Sequence, residues 1–217
     1  IAGAGMYAWL RAEETSKLGA LLAGLTFAFG GYFFVRVRGG HLGVVTTGVW
    51  LPTILWLYRE AQTRKSWAWT VIGGLPVGLS MLGGHTASFI YVGLGLAAYA
   101  GFRAWESWQS THQIRASLLA ILRAGVMGLM GLGVAAVQLL PMAQLTLRSA
   151  RQAAPSYAFA ARFSWPPGYL LTLLAPNFFG EPMRTGYWGD GIYDEFILYV
   201  GVLPGAVARR GEHRPVP

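Results

Sequence analysis

The sequence predicts an all-α, polytopic transmembrane helical bundle with a long extracytoplasmic loop that carries a short interfacial helix. Apolar residues make up 54% of the 217 positions and charged residues only 12%, about half the charged share of a typical soluble domain. The charges cluster between long apolar runs, and the chain has 30 glycines, a residue that is common in packed membrane helices. The absence of cysteine excludes a disulfide scaffold and thiolate metal sites.

Five uncharged stretches predict membrane spans, because crossing the hydrocarbon core takes about 20 helical residues. The apolar run from 67 to 102 is too long for one span, so Gly83-Gly84-His85 is predicted to break it into a tight helical hairpin. Pro52 predicts a kink in the second span. Residues 1–147 are therefore predicted to form the transmembrane bundle, with spans at 18–35, 42–58, 67–83, 86–102 and 124–147.

The remaining segments are predicted to lie outside these five spans. Residues 1–10 indicate the tail of a helix whose start is missing, so we expect the chain to be a fragment. Residues 148–195 are predicted to form the extracytoplasmic loop, which contains an interfacial helix from Pro167 to Ala175. Pro166 and Pro167 favour the start of this helix, and Pro176 ends it. Residues 196–217 are predicted to hold a truncated last span and a tail.

Basic residues predict the orientation of the bundle. One side, here called side A, holds the loops 11–17, 59–66 and 103–123, and the opposite side, side B, holds the short loops 36–41 and 83–85. Short loops rich in Lys and Arg stay in the cytoplasm, so side A is predicted to be cytoplasmic and side B to face the periplasm or the exterior. The net charge of +8 is thereby explained by topology, and nucleic acid is not a predicted partner. Side A holds eight basic residues against Arg36 and Arg38 on side B: Arg11, Lys17, Arg59, Arg64, Lys65, Arg103, Arg115 and Arg123.

The predicted topology gathers several ionisable side chains on side B. Arginine binds phosphate through two parallel hydrogen bonds, and histidine or a carboxylate can exchange a proton with a hydroxyl group. This mixture is typical of an enzyme that acts on a phosphate-linked lipid. The candidate substrate-binding residues are His41, His85, Arg148, Arg151, Asp190, Asp194 and Glu195.

Each of these candidates also has a simpler interpretation. The two arginines can snorkel to lipid headgroups, the two histidines can serve as turn residues, and the acidic cluster can be a solvated loop. A divalent metal at the two aspartates is an open alternative, although the sequence contains no metalloprotease, Walker or nucleophile-elbow motif, and no cofactor is predicted. Three aromatic residues can act either as an interfacial belt or as platforms for sugars, namely Trp165, Tyr187 and Trp188.

Small residues recur at a spacing of four, which lets helix backbones approach closely in lipid. This pattern occurs in three of the predicted spans. The three pairs are Gly74/Gly78, Ala124/Gly128 and Gly131/Ala135, and the one triplet is Gly93/Ala97/Gly101.

Six segments, in order along most of the chain, carry a family resemblance. They are GLTFAFGGYFFVRVRGGH (24–41), WLPTILWLYREA (50–61), GGHTASFIYVGLGLAAYAG (83–101), AAVQLLPMAQLTLRSAR (135–151), SWPPGYLLTLLAPNFFG (164–180) and YWG…DE…YVGVLP (187–204). The markers with the highest specificity are the Gly84-His85 turn, the Gln138–Pro141 stretch and the proline pattern of 164–180. Together these segments resemble the bacterial YfhO family of membrane proteins, which are similar to GT-C glycosyltransferases.

The resemblance implies an enzyme of the bacterial inner membrane that takes a sugar from a polyprenyl-phosphate donor and transfers it to a cell-envelope acceptor on the outer face. It also implies a catalytic carboxylate in the first outer loop, which would lie before residue 1. The Gly84-His85 turn is followed here by Thr86-Ala87, where the family commonly has Pro-Gln. The predicted partners are membrane lipids and the lipid-linked sugar.

Two other function classes stay open, a transporter or flippase of a lipid-linked or anionic substrate and a non-catalytic membrane assembly protein. A transporter needs polar or ionisable groups at mid-membrane. The predicted spans hold only Thr and Ser there, whereas charge collects on side B, so the enzyme is favoured. The sugar, the acceptor and the oligomeric state stay open.

Overall fold

The structure, a computed structural model, describes residues 1–148, 157, 161, 164, 166–189, 191 and 193. This part of the chain is helical, with no strand. The candidate residues Arg151, Asp190, Asp194 and Glu195 and the segment 196–217 lie outside the described residues. The helices are α1 (Ala2–Ala12), α2 (Lys17–Phe29), α3 (Gly31–Arg38), α4 (Leu42–Gly48), α5 (Leu51–Thr63), α6 (Trp67–Leu82), α7 (Thr86–Thr111) and α8 (Ile114–Leu147), followed by a 3₁₀ helix (Pro167–Leu173).

The long apolar run breaks where the sequence places the break. Helix α6 ends at Leu82, and α7 begins at Thr86 after a turn in which Gly84 has a φ of +87°, a conformation that favours glycine. The imidazole of His85 caps α7, because its Nδ1 accepts a hydrogen bond of 3.1 Å from the backbone N–H of Ser88. The turn is close-packed, since a Cβ on Gly83 would lie 2.7 Å from the backbone nitrogen of Thr47.

Two helices extend well beyond the apolar runs that predict them. Helix α7 continues to Thr111 and α8 begins at Ile114, so most of the polar stretch 103–123 is helical. Charged residues with good helix propensity do not end a helix. The reversal occurs at His112, whose left-handed φ of 51° closes α7.

Two other predicted spans are interrupted. Gly30, with extended backbone, separates α2 from α3, and the pair Val49-Trp50 separates α4 from α5. Pro52 stands in the first turn of α5, where its missing N–H is tolerated, but its ring disfavours a helix that runs through from α4.

The described residues contain three helical segments that are long and apolar enough to cross a membrane, where the sequence predicts five spans. These are Lys17–Arg38, Thr86–Thr111 and Ile114–Leu147. The predicted span 42–58 is divided by its interruption, and α6 has only 16 residues. In the most apolar part of Ile114–Leu147 only 28% of the residues are buried within the chain, so most of this apolar surface faces outward, as it does on a helix in lipid.

Glycines bring α6 and α8 into direct backbone contact. A Cβ on Gly74 would lie 2.4 Å from the Cβ of Met130, and one on Gly78 would lie 2.9 Å from the carbonyl oxygen of Gly131. The partner residue number rises along both helices, so α6 and α8 run parallel. Helix α7 therefore runs antiparallel to both, and it packs along α8 with little contact to α6, so the hairpin is less tight than predicted.

Only part of the small-residue pattern is used for packing. Gly74, Gly78 and Gly131 lie in the α6–α8 contact and Ala135 is fully buried. A Cβ on Gly93, Gly101 or Gly128 would meet no atom within 4 Å. The spacing is the same in both groups, so a facing helix decides which stripe is buried.

The α6–α8 contact predicts a clear difference between two glycine substitutions. We expect Gly74→Ala to lower the free energy of unfolding by about 1–3 kcal/mol, because the added methyl group overpacks the interface. Gly128→Ala is the matched control, and we expect it to leave stability unchanged or raise it by up to about 1 kcal/mol through helix propensity. Thermal unfolding in detergent measures both, and equal effects of the two substitutions would contradict the backbone contact.

Candidate functional site

Three chain segments meet at side B. The start of α4 lies against the turn after α6, since a Cβ on Gly43 would lie 3.6 Å from the Cβ of His85. The hydroxyl of Thr46 donates a hydrogen bond of 3.0 Å to the carbonyl oxygen of Gly83. The end of α8 joins them, because the hydroxyl of Thr86 lies 3.8 Å from the sulfur of Met142. The structure thus brings the start of α4, which directly follows His41, to the His85 turn.

The ring of His85 is exposed, and one of its nitrogens is already in use. Its Nδ1 accepts from the Ser88 backbone and lies 2.8 Å from the Ser88 hydroxyl. An acceptor at Nδ1 places the proton of the neutral ring on Nε2. The group that His85 offers to a ligand at side B is therefore the Nε2–H donor.

His41 lies in the turn between α3 and α4, and it is arranged similarly. Its Nδ1 lies 3.2 Å from Nη1 of Arg36, and a guanidinium can only donate. This contact again places the ring proton on Nε2. Arg36 itself is only 8% exposed and lies over the ring of Tyr32 at 5.3 Å.

Arg148 is the third described candidate, and it ends α8. Its side chain is exposed, and its backbone N–H closes the last helical turn on the carbonyl of Leu145. It forms no ion pair with another described residue. Among the described residues, no contact joins Arg148 to His41 or to His85.

An ion pair that sequence reasoning missed ties the predicted outer loop to side B. Nη2 of Arg38, at the end of α3, lies 2.8 Å from Oε1 of Glu181, whose side chain is only 12% exposed. Arg184 is a looser partner of the same carboxylate at 3.9 Å. The two paired residues are far apart in the chain, so the only sequence signal was the topology that returns the loop to this side.

An aromatic cluster forms the body of the segment 166–189. The 3₁₀ helix lies where the interfacial helix is predicted, and its buried Tyr169 stacks on Phe179 at 4.3 Å. The hydroxyls of Tyr169 and Tyr187 are 2.9 Å apart. Trp188 is next to this cluster, 5.0 Å from the Phe179 ring, and stays 67% exposed.

Two glycines permit this compact arrangement. Gly180 and Gly186 have φ values of +83° and +75°, and the backbones of the two meet so closely that a Cβ on Gly180 would overlap the Gly186 carbonyl oxygen. The small cleft that results is about the size of one water molecule and is lined by Tyr169, Thr172, Pro176, Phe179, Gly180, Tyr187 and Tyr193. This cleft is too small to admit a sugar ring.

A second polar cluster lies at side A, and the sequence analysis missed it. The carboxylate of Glu13 accepts from the Tyr99 hydroxyl and lies 3.2 Å from Nε of Arg59 and 3.7 Å from Nη1 of Arg103. These residues come from the end of α1, from α5 and from α7, and the sequence analysis used only Arg59 and Arg103, as topology signals. The cluster holds the end of α1 against α5 and α7.

The side A cluster continues onto α8 through a chain of hydrogen bonds. Tyr58 donates to the carbonyl oxygen of Ala120 at 3.0 Å, and the Gln62 amide donates to the Tyr58 hydroxyl at 2.8 Å. The Gln62 oxygen accepts from Nη1 of Arg123 at 2.9 Å. Arg123 is only 6% exposed.

Within the described ranges, no group of three or more His, Asp and Glu side chains could hold a metal ion. Asp190 and Asp194, the two residues that carry the metal alternative, lie outside those ranges. Comparisons with protein-family models, with curated proteins and with solved structures gave no match to this chain.

The Arg38–Glu181 pair predicts how the segment 166–189 is held. We expect Glu181→Gln to free the segment and raise its backbone hydrogen exchange severalfold, since a partly exposed ion pair contributes up to about 1 kcal/mol. Arg184→Gln is the matched control, because Arg184 is 84% exposed and at 3.9 Å, and it should leave exchange unchanged. Restoration of protection in the charge-swapped Arg38→Glu, Glu181→Arg variant would confirm the pair. Unchanged exchange in Glu181→Gln would contradict it.

Proposed function

We propose that this chain is an integral membrane protein that transfers a sugar from a polyprenyl-phosphate donor to a cell-envelope acceptor at side B, as the resemblance to the YfhO family implies. The observation that carries the proposal is that the start of α4, directly after His41, packs on the His85 turn, on the same side of the bundle where Arg38 holds the segment 166–189 through Glu181. This arrangement supports a site at the membrane surface, where a lipid phosphate lies.

The chemistry of the described side chains suits a phosphate leaving group. In the proposed reaction the acceptor oxygen attacks the anomeric carbon, the bond from that carbon to the phosphate oxygen breaks, and the electron pair leaves with polyprenyl phosphate. The acceptor proton passes to a base that is a carboxylate in the family this chain resembles. Arg148 would stabilise the charge of the leaving phosphate, and the Nε2–H groups of His41 and His85 would donate to phosphate or sugar oxygens.

The aromatic cluster gives the donor a second point of contact. Trp188, with its exposed ring, offers a flat apolar face to a sugar ring. The exposed apolar side chains of the same segment would sit in the outer leaflet, where they keep the 3₁₀ helix at headgroup depth. These side chains are Leu170, Leu171, Leu174, Phe178 and Met183.

A transporter or flippase is the second candidate function, and one observation favours it. Two predicted spans are interrupted, at Gly30 and at Val49-Trp50, and interrupted membrane helices form the binding sites of many transporters. The described polar clusters, however, lie at the two ends of the bundle. This location favours surface chemistry over a path through the membrane.

Orientation is the first test of this proposal, and the lack of native cysteine makes labelling specific. Ser110 lies at the side A end of α7, and Arg184 lies in the segment held at side B; both are exposed. We expect Arg184→Cys to react with a membrane-impermeant thiol reagent in intact cells and Ser110→Cys to react only after the membrane is permeabilised. The reverse labelling would place the proposed site in the cytoplasm and contradict the function.

Sugar transfer itself is the second test. The full-length protein in vesicles should release polyprenyl phosphate from one member of a panel of polyprenyl-phosphate hexoses when a cell-envelope extract supplies the acceptor. We expect Arg148→Gln to lower the rate roughly tenfold or more, because a hydrogen bond to a charged group is lost. His85→Ala should lower it as well.

Arg115→Gln is the control for this assay, since Arg115 is an exposed arginine near the opposite end of the same helix. Normal rates in both side B variants, with normal expression, would remove these residues from the mechanism. Transbilayer movement of the donor without release of polyprenyl phosphate would support the transporter instead.

A further inference from the structure

We propose that Met183 is an oxidation site, and that its sulfoxide tightens the hold of Arg38 on the segment 166–189. The modification is the transfer of one oxygen atom from a small peroxide to the thioether sulfur. It goes beyond the function proposed above, because neither the oxidation nor its effect on the segment requires a lipid-linked sugar.

The first observation is the accessibility of the sulfur-bearing side chain. Met183 is 82% exposed, more than any other of the six methionines. The next is Met130 at 43%, which lies within the apolar span of α8. A peroxide dissolved in water has to reach the sulfur in order to oxidise it, so Met183 is the methionine that reacts first. The remaining four are buried or partly buried, namely Met6, Met81, Met127 and Met142.

The second observation is the contact that this sulfur makes. Nη2 of Arg38 lies 2.8 Å from Oε1 of Glu181 and 3.2 Å from Sδ of Met183. Because Nη2 carries two hydrogens, it can donate one to the carboxylate and the other to the sulfur. A thioether is only a weak acceptor, so the second hydrogen of this charged group is poorly used. The sulfur therefore lies at the ion pair that holds the segment 166–189 on α3.

Oxidation converts this weak acceptor into a strong one. A lone pair of the sulfur attacks one oxygen of hydrogen peroxide, and the O–O bond breaks. The sulfur loses two electrons and gains the oxygen, and the second oxygen leaves as water with both protons. The product is a polar sulfoxide. Methionine has three rotatable side-chain bonds, so the exposed side chain can turn the new oxygen toward Nη2 of Arg38.

The effect on the segment follows from the positions of the two acceptors. Glu181 and Met183 are two residues apart in the same turn, so a stronger bond from Arg38 to either one ties that turn to α3. The new bond uses the second hydrogen of Nη2 and leaves the bond to Glu181 in place. Oxidation of Met183 therefore closes the segment, whereas Glu181→Gln is expected to free it.

Peroxide treatment of the purified full chain in detergent tests the site, with peptide mass mapping to follow each methionine. We expect Met183 to be oxidised several times faster than the other five. Hydrogen exchange of the segment 166–189 should then slow roughly twofold or more, because Arg38 gains a charge-assisted hydrogen bond. Methionine sulfoxide reductases, one for each epimer, should restore the original exchange.

Three variants separate this effect from general oxidative damage. Met183→Leu keeps the apolar side chain without the sulfur, so peroxide should leave the exchange of its segment unchanged. Arg38→Gln should still be oxidised at Met183 without any slowing of exchange. Met183→Gln carries an amide oxygen near the place of the sulfoxide oxygen, and it should slow exchange without peroxide.

Several results would overturn the proposal. Oxidation of Met130 as fast as Met183 would contradict the selective site. Faster or unchanged exchange in the oxidised wild type would contradict the tightening, as would exchange in Met183→Gln no slower than in Met183→Leu. An equal slowing in oxidised Arg38→Gln would show that the sulfoxide acts without Arg38.

Discussion

Backbone contact between α6 and α8 is the constraint on which the rest of the bundle depends. The contact needs glycine at Gly74, Gly78 and Gly131, because a Cβ at any of them would overlap the facing helix. Since the two helices run parallel, the chain between them must cross back, and α7 does so after the Gly83-Gly84-His85 turn. The starts of α6 and α8 are thereby brought to side A and their ends to side B.

This arrangement decides where polar side chains collect. Buried apolar residues fill the middle of the bundle, around Ile54, Val77 and Met127, and leave little room for charge there. The ionic contacts lie at the ends, Glu13 with Arg59 and Arg103 at side A and Arg38 with Glu181 at side B. Ion pairs near the headgroups avoid most of the cost of burying a charge in the hydrocarbon core.

The sequence predicts the helical class, the turn at Gly83–His85 and the packing role of Gly74 and Gly78, because these depend on local patterns. It does not predict which small-residue stripe finds a partner, and Gly93 and Gly101 have the same spacing with nothing against them. It also places helix ends at charges, whereas α7 and α8 continue to the reversal at His112. Partner choice and reversal depend on contacts between distant residues, so a local pattern cannot determine them.

The same limit explains why the sequence misjudges the side A arginines. Counted in a loop, Arg123 is one more positive charge that keeps side A in the cytoplasm. In the structure it is buried on α8, bonded to Gln62 and placed over Trp67. A charge that orients a helix during insertion therefore also has to be compensated once the helices pack. Side B pairs Arg38 with the carboxylate of Glu181, whereas the described contacts of Arg123 are with neutral groups, the Gln62 amide and the Trp67 ring.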